Sequence, residues 1–449
     1  MEFPVITFPW FGAGTLIAVI AIVHVVINHA VAIGGSVLMV WTEAKAHRTN
    51  NPELERTART MSKWILIVTT TVGAMTGVGI WFSTTVIQPY AIGSLLRIFH
   101  WAWFAEWIVF ISEVVLILIY FYTWDRWKGE KKKLHIRTGI ALVAASWLTM
   151  TIITAILACQ MTPGKWVATL SFWDAFVNPT WLPSLFFRTF VALTLGVGLF
   201  APFIRLGVKN KANAAGLLRD FGKIVLLCFP FLIVGAIWYS CNLPSEASNL
   251  IVWASGMQNE FFVLVNVTVL ILIAVIGIGL YKAPSRVPVA LSVTVAFLSV
   301  GIIGEFEMIR ETIRKPFVIY DYMYVNGIRT DQVDTFQRNG FLKTAKWTTV
   351  HDVTPDNERT AGRELFAAQC MTCHTVDGWR SKRAMNQRMQ GWTAENIANY
   401  VKNLHQARSF MPPFAGNEEE LQALGKYLEA VGQGRETSEQ VAERGTAHE

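Results

Sequence analysis

Residues 10–41 read WFGAGTLIAVIAIVHVVINHAVAIGGSVLMVW. An apolar run of this length crosses a bilayer as a helix, which takes about 20 residues. The run has no cleavage-site pattern and reads as a retained anchor, not a removed leader. Working outward, seven further apolar stretches follow, at Trp64–Gln88, Ile98–Trp124, Ile136–Cys159, Phe186–Leu206, Ile224–Asn242, Phe261–Leu280 and Val289–Ile309. Composition agrees. Hydrophobic residues make up 53% of the chain and charged residues 16%, against about 25% charged in soluble domains. This excludes a disordered protein, a coiled coil and an ordinary soluble globule. The 18 tryptophans suit a chain with two bilayer interfaces. The expected fold is all-α, a polytopic membrane bundle of about eight spans, followed by a small C-terminal domain.

The net charge of +7 resides in loops. The loop after span one carries Lys45, Arg48, Arg56, Arg59 and Lys63. The loop after span three carries Arg126, Lys128, Lys131, Lys132, Lys133 and Arg137. Arg205, Lys209, Lys211, Arg219 and Lys223 follow span five, and Lys282 and Arg286 follow span seven. The alternate loops offer little beyond Arg97 and Lys165. Positive loops face the cytoplasm. Both termini are therefore expected outside, in the periplasm if the membrane is a bacterial inner membrane. Basic charge distributed this way serves topology, not nucleic acid, and five cysteines are too few for a disulfide framework.

Composition changes after Ile319. Residues 1–319 read as the membrane domain and 320–358 as a linker or surface-hugging arm. Residues 359–434 read as a helical soluble domain, and 435–449 as a Glu/Thr/Gln-rich disordered tail. Within the soluble domain, Cys370-Met371-Thr372-Cys373-His374 has the spacing that bonds a haem through two thioethers while the histidine ligates iron. A zinc site would need two further ligands at suitable spacing. An amphipathic helix, Thr360–Gln369, precedes the motif. Met411, between Phe410 and Pro412-Pro413, offers a thioether sixth ligand with His405 as rival, and a last amphipathic helix spans Glu418–Val431. These features resemble a class I cytochrome c over roughly 75 residues. Covalent haem attachment occurs outside the cytoplasm, which agrees with the charge-based topology.

Ionisable groups inside spans cost about 2.5–3.5 kcal/mol on insertion scales and mark function by default. Span one holds His24, Asn28 and His29; span three holds Arg97, His100, Glu106 and Glu113. Glu106 and Glu113 are seven apart on one face, roughly 10 Å along the axis, which suits a proton path. At the end of span eight, Glu307, Glu311 and Arg314 share a face. The bland alternative for each is an interhelix hydrogen bond or a snorkelling cation.

Several of these patterns resemble the large subunit (subunit I) of cytochrome bd oxidases over about residues 1–320. They are His24 followed by Gly34-Gly35; Gly73-Ala74-Met75-Thr76-Gly77; Glu113 eleven residues before Trp124-Asp125-Arg126; and Glu311-Thr312-Ile313-Arg314-Lys315-Pro316-Phe317. The resemblance implies that His24 ligates the oxygen-reactive haem. It also implies that Glu311 ligates an adjacent high-spin haem b, that Arg314 neighbours haem propionates, and that Glu113 lies on the proton path. A second family carboxylate would fall at Ala105, so Glu106 is a displaced substitute. The low-spin haem b ligands are missing. Phe187 and Arg188 stand where the family has a histidine after Asn178-Pro179, and Val265 and Asn266 stand at the family's methionine. The quinol loop shrinks to Leu243–Asn259. The resemblance therefore points to a divergent branch carrying a C-terminal cytochrome c domain.

Two functions follow. In the first, the chain is an oxidoreductase subunit: haem c takes electrons from a periplasmic cytochrome or redox enzyme, and a membrane pair (haem b, with haem b or haem d) reduces oxygen. In the second, it is a non-catalytic anchor relaying electrons between a quinone or redox enzyme and haem c, with His29 and His100 serving a relocated haem b. Membrane lipid and a second membrane subunit are the expected neighbours, and no nucleic acid is.

Overall fold

The computed structural model describes residues 12–250, 267–269, 271–380 and 383–438. Among the described residues the chain is all-α apart from one two-stranded ribbon, Phe317–Ile319 with Met323–Tyr324. Among the described residues, seven helices are long and apolar enough to cross a membrane. They are α1 (Gly14–Thr49), α2 (Pro52–Ile87), α3 (His100–Tyr122), α4 (Gly129–Cys159), α5 (Trp181–Gly207), α6 (Lys211–Cys241) and α7 (Val289–Ile313). The chain is a multi-pass membrane protein. The expected span Phe261–Leu280 is described only as the shorter apolar helix Val267–Leu280. Val265 and Asn266 lie outside the described residues.

Two compact units emerge, one of residues 21–78 and 98–313, the other of residues 1–20, 79–97 and 314–449. In the first, the turn from α1 to α2 is written locally. Asn50 takes φ 47°, ending α1 in the left-handed conformation that asparagine tolerates. Asn51 then caps α2 by accepting from Glu53 N at 3.0 Å and Leu54 N at 3.2 Å, with Pro52 at the first helical position. Helices α1 and α5 touch backbone to backbone. A Cβ on Gly34 would lie 2.2 Å from Ala192 O, and one on Gly196 would lie 2.8 Å from Gly34 Cα. Small residues permit this approach where no hydrophobic force drives helices together.

At the Lys/Arg-rich end of the bundle, a buried ionic cluster ties α1, α3 and α4. Glu43, with no exposed surface, accepts from Tyr120 Oη at 2.5 Å and meets His135 Nδ1 and Lys132 Nζ at 2.6 Å each. His135 Nε2 lies 2.8 Å from Tyr120 O, and Lys132 also pairs with Glu55 at 3.1 Å. Lys45–Asp220 at 2.5 Å joins α1 to α6.

In the second unit, α9 (Glu358–Gln369) crosses α11 (Glu418–Gly432) so closely that a Cβ on Gly362 would lie 2.2 Å from Ala423 O. Helix α10 (Ala394–Lys402) meets α11 at Gly425, 2.5 Å from Ala394 O by the same measure. The stretch expected as a linker or surface-hugging arm is folded against the domain's core. Its Ile328, Phe336, Phe341, Leu342 and Val350 are buried in the same core as Leu365, Phe366, Leu424 and Tyr427. It includes the short helix α8 (Val333–Asn339). Glu420 explains the attachment: its carboxylate, 2% exposed, accepts from Leu342 N at 2.7 Å, Phe341 N at 2.8 Å and Asn417 N at 3.1 Å. Gln88 Nε2 donates to Val325 O at 3.0 Å, holding the arm on the connection after α2. The expected tail begins later than Arg435. Glu436 pairs with Arg359 at 3.3 Å, and Ser438 N donates to Asp377 at 3.1 Å. Residues 439–449 lie outside the described residues.

Glu420→Ala strips two buried N–H groups, of Phe341 and Leu342, and the part-buried N–H of Asn417 of their acceptor, at about 1–3 kcal/mol for each buried group left unsatisfied. The expected result is a lower unfolding midpoint for the C-terminal domain and faster tryptic cleavage after Lys343 and Lys346. Unchanged unfolding and cleavage would show that the carboxylate does not hold the arm.

Candidate haem sites

The C-x-x-C-H motif begins where α9 ends. Cys370 N donates to Phe366 O at 2.9 Å, and His374 N and Cys373 N donate to Cys370 O at 2.9 and 3.1 Å. One turn therefore presents both sulfurs and the imidazole. His374 Nδ1 lies 3.3 Å from Arg383 O, which fixes the proton on that nitrogen and leaves Nε2 for iron. Burial, aided by the charges of Arg388, Arg383 and Lys315, lowers the His374 pKa to about 4, so the ring is the neutral form a metal needs. Burial, with Cys373 nearby, pushes the Cys370 thiol up to about 12, which disfavours the thiolate that zinc requires. Among the described residues, no three His, Cys, Asp or Glu side chains are arranged to hold a metal ion. These donors fit covalent haem better than zinc.

The Met411 loop is held by contacts distant in sequence. Gln369, next to Cys370, donates to Ala415 O at 2.8 Å and accepts from Ala415 N at 3.0 Å. Gln337 donates to Phe414 O at 3.0 Å. His405, the rival ligand, has its Nδ1 2.6 Å from Met411 O and so braces the methionine's backbone. Sequence reasoning missed Gln369, Gln337 and Glu420, whose partners lie tens of residues away.

In the bundle, His24 rests on α2. Its Nδ1 lies 3.1 Å from Thr76 Oγ1, and a Cβ on Gly77 would come within 3.2 Å of its Cε1. The glycine admits the ring, the threonine fixes one nitrogen, and the other remains for a metal. This fits a haem ligand. Ile22, Val25 and Val26 pack with Ile303 of α7, the helix that carries Glu307, Arg310 and Glu311. Glu311 is exposed at the end of α7, with Arg310 as an electrostatic neighbour. Arg314 is buried.

His29 has other partners. Its Nδ1 meets Val25 O at 3.1 Å and its Nε2 faces Arg188 Nη1 at 3.4 Å. Arg188 Nε also reaches Ser184 Oγ at 3.3 Å. Glu307, paired with Arg310 at 2.6 Å, interacts electrostatically with both His29 and Arg188. His100 is exposed at the start of α3, edge-on to Trp101 at 5.3 Å. His29 and His100 thus engage different groups. Glu113 accepts from Ser146 Oγ at 2.6 Å and borders a small cavity with Ser36, Thr69 and Thr70. Glu106 lies part-exposed two turns away on the same helix.

Comparison with known proteins follows this division. The model "Cytochrome C oxidase, cbb3-type, subunit III" matches residues 357–428. Among solved structures, a bd oxidase from Geobacillus thermodenitrificans superposes with a TM-score of 0.52 at 14% identity, covering 69% of this chain and 89% of that one. That likeness is one of fold. No curated protein matches. The model "Cytochrome bd terminal oxidase subunit I" matches residues 13–240, about half of the chain. The chain is a haem-binding, electron-transferring member of the cytochrome bd terminal oxidase subunit I family, fused to a cytochrome c domain.

Proposed function

We propose that this chain is the large subunit of a bd-like terminal oxidase that receives electrons through haem c instead of oxidising quinol. The observation that carries the reading is the Arg188–His29 pair. Where the family places the low-spin haem b histidine, a guanidinium faces the other histidine of the region. With that haem gone, electrons need another entry, and the C-terminal domain offers one. Cys370 and Cys373 would hold haem c, with His374 and Met411 as axial ligands. His24 and Glu311 would hold the membrane haems and Arg314 would neighbour their propionates. These groups would supply the one-electron and oxygen chemistry that no side chain provides. Glu113, hydrogen-bonded to Ser146 beside a small cavity that Ser36, Thr69 and Thr70 also line, would pass protons inward from the Lys/Arg-rich side, with Glu106 as the next carboxylate. The orientation is periplasmic for both termini and the C-terminal domain. A second membrane subunit, as in the family, and a periplasmic redox donor complete the assembly.

Three measurements test this. Cys373→Ser should abolish covalent haem, read as loss of haem stain on a denaturing gel; a full-strength band overturns the attachment. Met411→Ala should keep the stain but lower the haem c potential, because the thioether favours Fe(II). An unchanged potential assigns the sixth ligand elsewhere.

For the membrane haems, reduced-minus-oxidised spectra with pyridine haemochrome analysis should give haem c plus two high-spin haems. Glu311→Ala should lose high-spin haem b absorbance, and His24→Ala the carbon monoxide-reactive haem. If both variants retain full non-covalent haem and carbon monoxide reactivity, the ligand assignment fails. If the wild type holds haem c alone, the chain is an electron-transfer anchor.

A further inference from the structure

A cleft beside the haem c motif is built for an anion. It lies within one unit, between the start of α1 and the loop residues Thr372, Thr375, Arg380 and Arg383. Gly12, at φ +82°, turns the chain into the helix, and a Cβ on Gly14 would lie 3.6 Å from Thr372 O, so the first turn sits directly against the loop. The opening N–H groups of a helix lack intrahelical acceptors and carry partial positive charge. Two guanidiniums, Arg380 and Arg383, add to this and repel each other. The Arg383 guanidinium reaches Cys373 O at 3.5 Å, and Arg380 stacks over Trp379 at 4.7 Å. Among the described residues, no acidic side chain lines the cleft. Independently, Thr375 lines it, is 5% exposed, and its hydroxyl has no hydrogen-bond partner among the described residues. A buried hydroxyl without a partner costs about 1–3 kcal/mol, which an oxyanion entering the cleft would recover.

We propose that this cleft binds a phosphate oxyanion, and that in the membrane the phosphate belongs to a phospholipid headgroup. The first turn of a spanning helix lies at headgroup level, whichever side it faces. Trp379, 53% exposed, is the residue type that settles there. The haem's own carboxylates would not be the anion, because a thioether to Cys373 would form at a vinyl group, on the porphyrin edge away from the propionates. The assignment needs neither the oxidase reading nor an orientation of the chain.

The test uses the full-length protein in detergent, with haem stain as the check on folding. Retained lipid is counted by native mass spectrometry after titration with dioctanoyl phosphatidylglycerol or with inorganic phosphate. Arg380→Gln and Thr375→Val are the variants; Arg380 is exposed, so its replacement leaves the fold intact. Removing one arginine should weaken phosphatidylglycerol binding about fivefold, the factor for one cation near a lipid surface. Lipid binding that both variants weaken supports the headgroup. Inorganic phosphate binding with the same variant dependence, without lipid, supports the oxyanion site and assigns it a soluble source. Binding of either probe that neither variant changes overturns the proposal, and so does failure of the wild type to bind either. Loss of haem stain with phosphatidylglycerol binding intact would count against the haem c reading and leave this one standing.

Discussion

Glu43 has no water to solvate it, and the bundle is organised around that fact. An ionised carboxylate taken out of water carries a penalty of several kcal/mol unless cations and donors surround it. Here Lys132, His135 and Tyr120 do so, drawn from two other helices. His135 bridges two helices, with Nδ1 2.6 Å from the Glu43 carboxylate and Nε2 2.8 Å from Tyr120 O. The register of α1 against α3 and α4 is thereby set by charge at one end. Along its length, α1 is seated on α5 by the Gly34–Gly196 approach. His24 and His29 inherit their positions from these two constraints.

The same rule accounts for the Arg188 cluster. Two guanidiniums, one carboxylate and a histidine sit close together in the bundle. Such a cluster is stable only as a set, since removing one member leaves the others unpaired. Among the described residues, these groups form a polar core of their own inside the bundle, flanked by the Phe187–Phe306 ring contact.

What was legible in the sequence was what local chemistry writes. The apolar runs gave the spans, and C-x-x-C-H marked a cytochrome c domain. Gly73–Gly77 marked a helix that admits His24. What stayed hidden depended on partners far along the chain. Gln369 gives no local sign that it clamps the Met411 loop, and Glu420 looks like one of three surface glutamates at a helix start. The segment 320–358 lacks helical periodicity because its apolar residues are spaced to fill a groove, not to make a face. His405 looked like a ligand candidate because sequence shows a histidine's presence but not its hydrogen bond.

The arm's burial changes where the protein divides. A cytochrome c domain cut at the start of α9 would lose Phe336, Phe341, Leu342 and Val350 from its own interior and expose the face they cover. The natural seam lies instead near Arg314, where α7 ends and the second unit resumes. Any split, fusion or exchange of the cytochrome c domain must carry the arm with it. The folded module is arm plus domain, some forty residues longer than the matched cytochrome c region.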